Sequence, residues 1–279
     1  MHACESGTSE QPLRIVITGV TSGLGNGLAR EFKSMGHTVI GCGRREERLD
    51  ALRESFGPPH EFHRCDVTSE TSVIALASRV GHCDILINNA GSFSTKPAAP
   101  WEADGEEFRA IVDVNLNGTF YMTKHIGAKL VEEALREKRA GSPVAAPRKM
   151  VNISSGAGHS ILAPQSAYCA SKWAVEALSR STALAINEAG LGDHLICVPL
   201  APGAVASEMN TQPGAHPLDA WAPVAARVIL GLGTVDSGRS VSLTQFYDPQ
   251  FVDSWLLPPT MGLRPECESV RVTPMPMPI

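Results

Sequence analysis

The chain has 279 residues, 43% of them hydrophobic, with 25 glycines and 20 prolines, enough apolar side chains for one large core interrupted by many turns. Its 29 acidic residues exceed the 24 basic ones, and a net charge of −5 argues against a surface built for nucleic acid or anionic membrane. Seven cysteines (4, 42, 65, 83, 169, 197 and 267) form an odd set without a CxxC pair, which points to neither a disulfide framework nor a zinc site. No apolar run approaches the roughly 18 residues of a membrane span. Residues 1–12 carry two glutamates, no Arg or Lys and no apolar stretch, so they fit neither a signal nor a transit peptide, and the expected location is cytoplasmic.

In chain order, short β-branched runs alternate with longer amphipathic ones, the pattern of a parallel sheet with crossover helices. Strands are expected at 14–18, 37–42, 62–66, 84–88, 150–154, 194–199 and 240–244. Helices are expected at 24–35, 46–56, from Thr68 to Val80, at 106–136, 165–188 and 220–232. This is a single doubly wound α/β sheet of about seven parallel strands with helices on both faces, a Rossmann arrangement. Residues 137–149 mix charge, Gly and Pro and read as an exposed loop. From Phe246 onward the chain carries seven prolines. The aromatic stretch 246–257 is expected to pack on the body, giving a domain over 13–257 between a short tail at 1–12 and a Pro-rich tail at 258–279.

The first strand runs into Gly19-Val20-Thr21-Ser22-Gly23-Leu24-Gly25. Glycine there lets the backbone turn tightly and approach a pyrophosphate, and the helix that follows offers free amides. The spacing differs from GxGxxG. The second strand ends Gly43-Arg44-Arg45, where an NAD-binding chain usually places an acid for the ribose 2′-hydroxyl. Two guanidiniums suit a 2′-phosphate instead, hence NADP(H); the alternative is that Arg44 and Arg45 simply begin a solvated helix with Arg48. Cys65-Asp66-Val67 and Asn89-Ala90-Gly91 close the third and fourth strands, at the edge where such sheets bind ligands. Asp66 there suits an adenine amino group or, equally, the start of a helix.

Tyr168 and Lys172 stand four residues apart in a segment expected to be helical, so both project from one face about one turn apart. An ammonium beside a phenol favours the phenolate and lowers the tyrosine pKa, which makes a proton donor for carbonyl reduction near neutral pH. Ser155 lies thirteen residues earlier, at the end of the fifth strand.

TGVTSGLG, NNAG, a strand-end serine, YCASK and Ala201-Pro202-Gly203, in this order, resemble the short-chain dehydrogenase/reductase family over roughly residues 13–245. Within it, GHTVIGC, VNISSGAG, YCASKWAVEALSR and DAWAPVAARVIL look most like the plant-type NADPH-dependent pterin aldehyde reductases. The resemblance implies an enzyme in which Tyr168 gives a proton to the carbonyl oxygen. Lys172 would lower the tyrosine pKa and hold the nicotinamide ribose. Ser155, preferred to Ser154 on spacing, would bond the substrate oxygen. Asn115, preferred to Asn117, would hold a water that links Lys172 to solvent. Pro202, Gly203 and Val205 would line the nicotinamide side, with Ser207 standing where the family often has Thr.

The same resemblance places the substrate between 92–101, 156–165 and 204–221, which offer Phe93, Trp101, His159, Met209 and Trp221. Such rings suit a flat heteroaromatic aldehyde; His159 is read either as a ligand to a ring nitrogen or as a surface residue. The helices at 106–136 and 165–188 resemble the pair that meets across subunits, so a homodimer or homotetramer is expected. A different class of reading is a chain that binds NADP(H) without turnover.

Overall fold

The computed structural model describes residues 12–142 and 144–244. The expected packing of 246–257, the Pro-rich tail and most of the N-terminal tail lie outside the described residues.

Seven parallel strands form one sheet in the order β3-β2-β1-β4-β5-β6-β7: β1 (Arg14–Thr18), β2 (Thr38–Gly43), β3 (Glu61–Arg64), β4 (Ile85–Asn88), β5 (Arg148–Ile153), β6 (Leu195–Ala201) and β7 (Val241–Ser242). The chain winds outward from β1 in one direction, then returns and winds from β4 in the other. The switch between β1 and β4 opens a crevice at the strands' carboxyl ends. The eight helices among the described residues are α1 (Gly23–Ser34), α2 (Glu46–Phe56), α3 (Glu70–Arg79), α4 (Gly105–Val112), α5 (Gly118–His125), α6 (Gly127–Ala140), α7 (Ser166–Glu188) and α8 (Leu218–Gly231). None is long and apolar enough to cross a membrane.

Period-2 alternation divides the strand side chains between two cores. Ile15, Ile17, Ile85, Ile87, Val151, Ile153, Ile196, Val198 and Leu200 pack with Leu28 and Phe32 of α1 and Trp221 of α8. Val16, Leu86, Met150, Leu195 and Cys197 pack on the other face with Leu76 of α3, Met122 of α5, Leu130 of α6 and Ile186 of α7. The cysteines at 42, 65, 83, 169 and 197 are buried free thiols.

Three expectations are corrected. Residues 106–136 are not one helix: a π-helical segment (Asp113–Asn117) separates α4 from α5, and the chain breaks again at Ile126. The run carries no proline to announce either break. Residues 137–149 are not all loop, because α6 continues to Ala140, ends on Gly141 in the left-handed conformation (φ 61°), and β5 already starts at Arg148. The third helix is capped by Ser69, whose hydroxyl accepts from the Ser72 amide, rather than by Thr68.

Trp221 shows why α8 sits where it does. Its ring is fully buried, and its indole N–H donates to the Pro202 carbonyl at 3.0 Å, tying α8 to the segment after β6. Trp221→Phe keeps most of the ring but removes this hydrogen bond. It is expected to cost about 0.5–1.5 kcal/mol in urea unfolding, and Trp221→Ala about 3–5 kcal/mol.

Candidate active site

A cavity of about 480 Å³ opens at the carboxyl edge of the sheet, where β1, β4 and β5 end. Of the residues expected to hold a cofactor, Gly19, Ser22, Gly23, Leu24, Arg44, Arg45, Asp66, Val67, Asn89, Ala90, Gly91, Tyr168, Lys172, Pro202 and Ser207 line it, as do Phe93 and Met209 from the substrate set. Gly25, Gly203, Val205, Asn115, Ser155 and His159 do not. Gly25 lies beneath the turn, and a Cβ there would strike Asn89 Nδ2 and come within 2.5 Å of the Gly19 carbonyl. Val205 is 4% exposed and belongs to the core.

The glycine turn is fastened to the end of β4. The Thr18 hydroxyl accepts from the amides of Asn89 (2.9 Å) and Ala90 (2.8 Å), while Asn89 Nδ2 donates to the Thr18 carbonyl at 2.7 Å. Gly19 takes φ 73°, and a Cβ there would lie 2.9 Å from Asn89 Nδ2. Ser22 begins α1 without capping it through its side chain, so the first-turn amides face the cavity unclaimed by a cap. The result is a cradle for an anion, shaped by residues that a larger side chain would fill. Thr18 was not singled out in the sequence; a threonine closing a strand carries no signal until its partner strand is known.

The two arginines after β2 have separate roles. Arg44 lines the cavity and has no hydrogen bond or ion pair among the described residues. Arg45 is engaged: its guanidinium donates to Thr21 Oγ1 (2.8 Å) and Ser22 Oγ (2.6 Å) and pairs with Glu208 (3.2 Å). Arg48 pairs with the same carboxylate at 2.7 Å. Asp66 faces the cavity and also shapes the chain after β3, its Oδ1 accepting from the amide (3.0 Å) and hydroxyl (2.8 Å) of Thr68.

At the other end lie Tyr168, Lys172 and Ser155. Lys172 is 5% exposed, and its Nζ donates to the Ile153 carbonyl at 2.8 Å and lies 5.7 Å from the centre of the Tyr168 ring. Burial pulls its pKa down to about 8, against the opposing pull of Glu176 one turn along α7. That carboxylate is 3% exposed and accepts from Ser240 (3.1 Å), beside His159 (3.0 Å) and Arg180 (3.4 Å). Tyr168 departs from expectation: burial raises its pKa, while a hydrogen bond with the Ser155 side chain lowers it by less. Desolvation thus favours the protonated phenol.

Asn115 sits in the π-helical segment, where the extra residue turns it toward Gly91: a Cβ on that glycine would lie 3.4 Å from Asn115 Oδ1 and 3.8 Å from Lys172 Nζ. Its side chain accepts from the Ser92 amide (2.7 Å) and donates to the Ser92 carbonyl (2.8 Å) and Ser171 Oγ (2.9 Å). The amide thus joins the segment after β4 to α7. Asn117 turns back to Asp113 at 2.7 Å.

On the substrate side, Phe93 meets the Tyr168 ring edge-on at 6.1 Å. Its loop is held by Glu107, which accepts from Ser94 Oγ (2.8 Å) and the Thr95 amide (3.1 Å). Met209 forms part of the far wall. Trp221 is no pocket ring, being core; Trp101 is 85% exposed and outside the lining; His159 is spent on Glu176 and Ser240 (2.7 Å).

The buried lysine gives a signed pH effect. Its folded pKa of about 8 lies below its ordinary 10.5, so between those values the unfolded chain holds a proton that the folded chain has lost. Stability therefore rises with pH through that window. Relative to Lys172→Met, which lacks this group, the wild type is expected to gain up to about 3 kcal/mol between pH 7.5 and 10.5 in chemical unfolding. A constant difference across the window would refute the shift.

The sequence profile of the family described as short chain dehydrogenase matches residues 14–217. The chain is 36% identical over 244 residues to an NADPH-dependent pterin aldehyde reductase of Arabidopsis thaliana, covering 82% of this chain and 92% of that protein. It is 33% identical over 195 residues to an L-fucose dehydrogenase of Bos taurus, covering 68% and 65%. Among solved structures, the closed form of a serine dehydrogenase with NADP+ superposes with a TM-score of 0.69 at 23% identity, over 82% of this chain and 94% of that one. A single-residue variant of the actinorhodin polyketide ketoreductase with NADPH gives the same score and identity over 83% and 95%, and both likenesses concern the fold. The chain belongs to the short-chain dehydrogenase family of oxidoreductases.

Proposed function

We propose that this protein is an NADP(H)-dependent carbonyl reductase that converts a pterin 6-aldehyde to its alcohol, with Tyr168 as proton donor. The observation that carries the reading is the pairing of Tyr168 with the buried Lys172 in the cavity wall, the Lys172 Nζ lying 5.7 Å from the centre of the phenol ring. The glycine cradle suits a pyrophosphate, and Arg44, which has no ion pair among the described residues, suits a 2′-phosphate, so the residues present fit the dinucleotide. The 36% identity to a pterin aldehyde reductase supports the substrate class, as do the apolar Phe93 and Met209 walls.

In this reading the turn at 19–25 holds the pyrophosphate, Arg44 the 2′-phosphate and Lys172 the nicotinamide ribose. The reduced nicotinamide, when bound, supplies the hydride. Ser155 and Tyr168 hold the substrate oxygen between two hydroxyls and exclude water from it. Tyr168 gives up its Oη proton to that oxygen as charge develops there. The Lys172 ammonium then offsets the phenolate left behind. Asn115 keeps α7 in place through Ser171. The exposed apolar side chains Phe108 on α4, Phe120 on α5, and Trp173 and Leu184 on α7 support pairing of these helices between copies in a homo-oligomer.

Tyr168→Phe is expected to abolish NADPH oxidation with a pterin 6-aldehyde, by at least about a thousandfold, while NADPH still enhances its fluorescence on binding. Retained turnover would remove Tyr168 as the donor. Wild-type turnover of aromatic aldehydes or sugars but not of the pterin would keep the reductase and replace its substrate; NADPH binding without turnover of any of them would favour a binding protein. Arg44→Ala is expected to weaken NADPH at least about tenfold and leave NADH unchanged.

A further inference from the structure

Glu208 is an acid at a place where the cofactor reading requires an anion. It lies in the segment after β6, in a tight turn where the Ser207 amide donates to the Asn210 carbonyl (2.9 Å) and Ser207 Oγ accepts from the amides of Met209 (3.2 Å) and Asn210 (3.1 Å). From there its carboxylate crosses the mouth of the cavity to Arg45 Nη1 (3.2 Å) and Arg48 Nη1 (2.7 Å). Arg45 and Arg48 in turn reach the glycine turn through Thr21 and Ser22, and Arg45 follows Arg44 directly. The cavity lining includes Arg44, Arg45 and Glu208 together. Both guanidiniums and the carboxylate are about half exposed, with side-chain exposures of 43%, 45% and 58%. Pairs of that kind are weak and exchange readily with a stronger anion.

We propose that Glu208 is a specificity-determining residue that competes with the cofactor's 2′-phosphate for the arginines after β2. A phosphate carries more charge than a carboxylate and suits a guanidinium fork, so it displaces Glu208 from Arg45. A ribose with a free 2′-hydroxyl has no charge with which to do so, and Glu208 stays in place. The bridge thereby sets a threshold that a phosphorylated ribose passes.

The inference rests on the NADP(H) reading, and its test separates the two. Binding of 2′,5′-ADP and of 5′-AMP is measured by calorimetry at low salt for the wild type and for Glu208→Gln. The expected result is tighter binding of 2′,5′-ADP to Glu208→Gln by about threefold to tenfold, with 5′-AMP unchanged. If Glu208 instead aligned the arginines for the phosphate, Glu208→Gln would bind 2′,5′-ADP more weakly. A wild-type preference for 2′,5′-ADP that the substitution weakens or leaves unmoved overturns the proposal alone. Equal affinity for the two nucleotides in both proteins overturns it together with the NADP(H) reading.

Discussion

The site depends on how α7 is fastened to β5. Asn152 of β5 is paired in register with Asn88 of β4; it accepts from Asn88 Nδ2 at 2.8 Å and donates to Ser179 Oγ at 2.8 Å. Ser179 lies on α7, two turns beyond Lys172, and the whole chain of polar groups is buried. Asn88 Oδ1 is left without a partner among the described residues, but the remaining buried pairs form in only one arrangement and so fix the register of α7 against the sheet. The Lys172–Ile153 bond then follows from that register, and so do the positions of Tyr168 and Ser155. An all-apolar seam would stabilise the contact without dictating which turn of the helix faces the strand end.

Much of this was legible in the sequence. Residues 14–18 and 46–56 read directly as β1 and α2, because β-branched and amphipathic patterns there agree with burial on both faces of the sheet. Tyr168, Lys172, Arg44 and the glycine turn were identified because their spacing is local. What stayed hidden is set by contacts distant in sequence. Glu208 is an ordinary surface acid until folding brings it to Arg45, 163 residues away. Trp221 reads as a pocket ring because it closes the 204–221 segment, yet α8 turns it into the core. The π-helical segment at 113–117 kept a helical hydrophobic pattern, so one additional residue in the turn left no mark in periodicity.

The arginine pair illustrates why two readings of a motif need not exclude each other. Arg45 is the N-cap residue of α2 and pairs with Glu208, while Arg44 faces the cavity with no ion pair among the described residues. Both guanidiniums line the cavity, but Arg45 also holds the turn through Thr21 and Ser22 and reaches the 207–210 segment through Glu208.

Burial acts on both reacting-site groups in the same sense, toward their neutral forms: it raises Tyr168 and lowers Lys172 to about 8. For a proton donor this is useful, since the phenol holds its proton until a carbonyl oxygen gains charge. For the lysine it is a cost, because a neutral amine would leave the phenolate without a counter-charge. Glu176 opposes that cost from one turn away, and it can do so from a buried position because His159, Ser240 and Arg180 satisfy its oxygens. The ammonium near neutral pH is thus maintained by a carboxylate outside the cavity, and His159, offered by the sequence as a ligand, acts instead on the far side of that carboxylate.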